Sequence, residues 1–173
     1  MTDAAPVTRS TPSTTSTRAT HYRSKTIATW LAIALGTLGI HRFYLHGLGD
    51  KLGWLHPLPT ALGLLGVMRM RDMGQDDGLA WLLVPVLGMM ISQAMLCAIV
   101  YALTPDEKWE ARYNPGTSPR ATRWAPVLGA ILALMLGGGV LMGTIAFSGQ
   151  KFFEWQLAPA PGVVNDPAVK SGR

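Results

Sequence analysis

The chain has 173 residues, of which 49% are hydrophobic and only 14% charged, with a formal net charge of +5. A soluble domain carries about a quarter charged residues, so the composition argues against an ordinary water-soluble enzyme and for a membrane. The excess of Lys and Arg does not indicate nucleic acid, because those residues flank apolar runs and form no single basic face.

In chain order, residues 1–24 are Thr, Ser, Ala and Pro with scattered Arg. Such a segment cannot bury a core and is expected to be a disordered polar tail. Ile27–Leu45 is the first apolar run, interrupted only by His41 and Arg42. No cleavable signal precedes it, so it is expected to span or anchor uncleaved. A helix started near Ile27 would carry Arg42 about 22 Å along its axis, to the far headgroup layer. There the guanidinium is expected to meet lipid phosphate or backbone carbonyls, with Phe43 and Tyr44 holding the depth. Pairing with Asp72 inside the protein is the competing expectation.

Leu52–Met68 is the second run, short and holding His56, Pro57 and Pro59, so it either spans or re-enters. The stretch 69–78 reads as a charged turn. Leu79–Leu103 and Trp124–Phe147 contain no charge and are each long enough to cross a bilayer. Between them, in the connecting loop 104–123, "PDEKWEARY" suits a short interfacial helix. Asp106 and Glu107 would lie in its first turn and Arg112 in its last, with Trp109 and Tyr113 on the bilayer surface. Residues 151–173 read as a second disordered tail. The expected fold is therefore an all-α integral membrane protein, a polytopic bundle of four spans. Lys and Arg are more numerous on the side holding both tails and the 69–78 turn, which predicts cytoplasmic termini.

Small residues recur at helical spacing: Ala28, Ala32, Gly36 and Gly39 in the first run, and Gly129, Ala133, Gly137, Gly139 and Gly143 in the last. Such faces let helix backbones approach closely, within the chain or between copies. Ser92 and Gln93 are expected to hydrogen-bond a neighbouring helix. His41, His46 and His56 are not spaced as an i,i+4 ligand pair, and the methionines are ordinary span residues, so no metal and no cofactor are expected. Cys97 is the single cysteine, which leaves no intrachain disulfide.

Within "GTLGIHRFYLHGLGDKLG", Lys25 ahead of the helix, Gly36 and Gly39 in a glycine step, and His41, Arg42, Phe43 and Tyr44 form a pattern. It resembles the two-transmembrane-helix (TM-two) domain of bacterial NINE-type proteins. Asp72 stands where that family often places an acid, and the resemblance covers residues 25–72. It implies a membrane hairpin in a bacterial cell membrane, without an established reaction. The expected function is a non-enzymatic multi-pass membrane protein acting through helix packing, partner interaction or lipid contact. Its partners would be membrane lipids, another copy or another membrane protein. A transporter or channel subunit and a lipid-modifying enzyme are the alternatives.

Overall fold

The computed structural model describes residues 22–118 and 120–157, and every regular element among them is helical. The expected tails fall outside the described residues, apart from residues 22–24 and the helical residues 151–157.

Helix α1 (Lys25–Leu35) is only 11 residues long. It buries Lys25, Ala28, Thr29 and Ala32, three or four apart and so on one face. The chain then enters a 3-10 turn at Gly36–Leu38 and reaches Gly39 with φ +76°. That left-handed conformation is open to glycine and costly for residues with a Cβ. The chain reverses there, and α2 (Ile40–His46) runs back along α1. Leu45 packs on Ala28 and on Trp109, and the Ser24 N–H donates to the Tyr44 hydroxyl at 2.8 Å. The single helix expected through Ile27–Leu45 is thus a helical hairpin instead. Hydropathy is the same for both, and the glycine step decides between them.

Asp50 caps α3 (Lys51–Leu55) by accepting from the Leu52 N–H. Gly53 passes under Gly39 and against the Phe43 ring. Pro57, in the first helical turn where its missing N–H is harmless, opens α4 (Pro57–Met73). The Thr60 hydroxyl donates to the Thr37 carbonyl at the hairpin tip, 2.7 Å away. Because α4 continues to Met73, Arg69, Arg71 and Asp72 are helical and the turn shrinks to residues 74–77. Arg69 makes a two-pronged pair with Asp77, at 2.5 and 3.2 Å. Asp77 also caps α5 (Gly78–Leu103).

Helix α5 is central and runs antiparallel to α4, with Gly63 against Leu87 and Gly66 against Leu83. Its far end meets the start of α1, where Lys25 Nζ donates to the Thr104 carbonyl at 3.0 Å. The short α6 (Asp106–Tyr113) follows. The long α7 (Ala125–Leu157) then starts beside α1, with Gly129 on Thr29, and descends antiparallel to α5, with Gly137 on Met95. Ala32, Met95, Ala98 and Ala133 make the core between α1, α5 and α7.

The bundle therefore has two ends. One, the hairpin end, where the hairpin starts and finishes, gathers residues 22–25, 46–50, 104–118 and 120–124, and the other gathers the 74–77 turn and the end of α7. The residues just before α1 lie with α6, not with the turn at 74–77 as a four-span arrangement requires.

A Cβ on Gly139 or Gly143 would meet nothing within 4 Å, so the close packing expected of them is not made among the described residues, whereas a Cβ on Gly137 would come within 2.6 Å of Met95 Cβ. Gly137→Leu should therefore cost about 1–3 kcal/mol by overpacking, and Gly139→Leu little, as read by thermal unfolding in detergent. Equal losses would show that the outer glycine face is also covered.

Candidate functional site

The residues expected to carry function divide between three places. Ala28, Ala32, Gly36, Gly129, Ala133 and Gly137 are buried between helices. Asp72 is exposed in the last turn of α4. The signature residues His41, Arg42, Phe43 and Tyr44 lie on α2, which the hairpin sets against α5 and α6.

Arg42 does not pair with Asp72. Its Nε donates to Asp50 Oδ2 at 2.7 Å, and that bond, with the N-cap contact to Leu52, holds the Asp50 carboxyl below its ordinary range. Arg42 shares a pocket of about 240 Å³ with His46, Tyr101, Thr104, Lys108, Trp109, Arg112 and Tyr113. Helix α6 brings Lys108 and Arg112, four residues apart and so on one face. Neither has an ion-pair partner among the described residues. The Arg112 guanidinium lies 5.6 Å from the Tyr113 ring centre.

Trp109 does not rest on a surface as expected. It is 2% exposed, packed on Ala28 and Leu45, with its ring 5.9 Å from that of Tyr101 and 4.5 Å from that of Tyr113. Its Nε1–H donates to the Arg23 carbonyl at 2.8 Å. Asn114 Nδ2 donates to that carbonyl and to Glu110, while Asn114 Oδ1 accepts from the Arg23 N–H. The Tyr22 hydroxyl donates to Glu110 at 2.5 Å. That bond, with burial, pushes the Tyr22 hydroxyl up to about 12. This network fixes the wall behind the pocket and ties the start of α1 to α6.

Lys25, Asp106 and Thr122 lock the same end. Lys25 Nζ lies 2.5 Å from Asp106 Oδ1, and Thr122 donates to Asp106 through both its backbone N–H and its hydroxyl. Burial pushes the Asp106 carboxyl up, but these donors outweigh it and hold it at about 2 against an ordinary 3.8. A depressed carboxylate contributes stability above its unfolded value and loses it as pH falls through the folded one. Thermal stability should therefore fall between about pH 4 and pH 2 by about 1 kcal/mol after solvent screening. Asp106→Asn should remove that step, and an unchanged pH profile would show that the lock is not formed.

His41 is fully buried and neither ring nitrogen has a hydrogen-bond partner. Its ring lies 5.8 Å from those of His56 and Tyr101, so it is a core residue. No cluster of three His, Cys, Asp or Glu side chains suited to a metal occurs among the described residues. Ser92 donates to the Gly88 carbonyl of its own helix, not to a neighbour, and Gln93 is exposed.

Sequence reasoning missed Asp50 as the partner of Arg42, although an Asp directly before a helix start is a capping signal. It also missed the pocket, because nothing local links Arg42 to Lys108 and Arg112. Compared with protein-family models, curated proteins and solved structures, the chain matches none, so the resemblance over residues 25–72 stands on its motif residues.

Proposed function

We propose that this chain is an integral membrane protein acting by contact with lipid and protein partners, without catalysis. In this reading it crosses the bilayer three times, through α3–α4, α5 and α7, and α1–α2 is a re-entrant hairpin of the TM-two-like segment.

The observation that carries this reading is the exposure of the two long helices. In α5 and α7, of 26 and 33 residues, only 22% and 17% of the most apolar window is buried. A soluble protein's core helix would be mostly buried. Here Leu82, Leu96, Met135 and Met142 face outward at 59–73% exposure. So continuous an apolar surface is an aggregation liability in water and an ordinary solvent contact in a bilayer. At about 1.5 Å per residue both helices exceed a hydrocarbon core of about 30 Å.

The ends differ in charge. Arg23, Lys25, Arg42, Lys51, Lys108, Arg112, Arg120 and Arg123 gather at the hairpin end, against Arg69, Arg71 and Lys151 at the other. The positive-inside bias then sets the hairpin end, with the N-terminus, in the cytoplasm and the C-terminus across the membrane. The sequence expectation placed both tails on one side, and the hairpin regroups the charges.

Alkaline carbonate extraction tests membrane integration. The protein should stay in the membrane pellet and be released only by detergent. Release by carbonate would contradict the reading.

A further inference from the structure

We propose that the pocket between α2 and α6 binds a phosphomonoester, supplied by the headgroup of an anionic lipid in the leaflet at the hairpin end. The inference rests on the membrane reading and names the ligand of the site described above.

Three cationic side chains converge on one pocket from segments far apart in the chain: Arg42 from α2, and Lys108 and Arg112 from α6. One carboxylate, Asp50, answers them, and it is engaged by Arg42. Two positive charges are left without a counter-charge among the described residues. Of the acids of α6, Asp106 is committed to Lys25 and Thr122, Glu110 to Tyr22, Asn114 and Thr117, and Glu107 is exposed and pairs with neither Lys108 nor Arg112. Like charges four apart on a helix repel, so the bare protein holds an unfavourable pair that an anion would relieve.

A phosphomonoester carries about −1.5 to −2 at pH 7, which matches the uncompensated charge. A phosphodiester would neutralise half of it, and a headgroup bearing its own ammonium would bring a further cation to the same place. Arginine's fork can give two parallel hydrogen bonds to phosphate oxygens, while Lys108 supplies a point charge. The pocket's volume of about 240 Å³ suits a headgroup and not a whole lipid. Tyr101, Trp109 and Tyr113 wall it, and such amphipathic rings belong to the headgroup layer.

Native mass spectrometry of the full chain, released from nanodiscs of phosphatidylcholine containing a minority of diacylglycerol phosphate, tests the site. Wild type should retain one diacylglycerol phosphate, and retention should be lower when phosphatidylglycerol replaces it. Lys108→Gln with Arg112→Gln should reduce retention about tenfold or more. Lys51→Gln with Arg123→Gln removes equal charge at the same end outside the pocket and should leave retention unchanged. Inorganic phosphate separates the sources. If it displaces the lipid at millimolar concentration, the pocket takes free phosphate as well; if it does not, the lipid headgroup is the ligand. Retention by the Lys108/Arg112 variant equal to wild type, or an equal loss in the Lys51/Arg123 control, overturns the site. Equal retention of phosphatidylglycerol overturns the monoester. Carbonate extraction of each variant keeps failure of the site distinct from failure of the membrane reading.

Discussion

Gly39→Ala should destabilise the protein by about 3 kcal/mol or more, combining the left-handed strain with overpacking. At φ +76° a Cβ is strained, and it would stand 2.5 Å from the Gly53 carbonyl oxygen and 3.2 Å from His56 Cβ. The obstruction is backbone, so no rotamer change relieves it. Gly47 provides the control: its φ is +84°, but nothing lies within 4 Å. Gly47→Ala should show only the conformational penalty, about 1–2 kcal/mol. Thermal unfolding of both variants in one detergent measures the difference. Equal effects would mean that the hairpin tip does not sit against α3.

Trp109→Ala should cost about 3–5 kcal/mol, as for other fully buried aromatic truncations. The ring fills the space between α1, α2 and α5, and its N–H holds the Arg23 carbonyl. Trp109→Phe keeps most of the packing and loses the hydrogen bond, so it should cost about 1 kcal/mol. The truncation should also free residues 22–24 from α6, making the bond after Arg23 sensitive to trypsin in the folded protein. Trypsin resistance in Trp109→Ala would show that Asn114 and Glu110 hold the strap alone.

Hydropathy alone located the two long helices: the charge-free run Leu79–Leu103 lies within Gly78–Leu103, and Trp124–Phe147 overlaps Ala125–Leu157 in all but Trp124, the residue just before the helix. The second overran its apolar stretch because Lys151 pairs with Glu154 three residues on and Gln150 bonds to the same carboxylate, which sustains a polar final segment. Helix α6 was legible from its acidic first turn and basic last turn. The hairpin was not, because an apolar run scores alike whether it crosses or doubles back. The "GTLG" step was the local signal that it could turn. The pocket was illegible for a different reason. Arg42 meets Lys108 and Arg112 only because the hairpin returns α2 to the end where α5 hands over to α6, and that follows from tertiary packing.

Site-directed labelling separates three crossings from four most directly. With Cys97 replaced by alanine, single cysteines at Ser10, Gln75 and Ser118 are probed with a membrane-impermeant maleimide in sealed vesicles of defined orientation. The contacts of Tyr22 and Arg23 with Glu110, Asn114 and Trp109 require residues 10 and 118 to label from the same side, with residue 75 on the other. Labelling of residue 10 together with residue 75, and opposite residue 118, would contradict the hairpin and restore four spans.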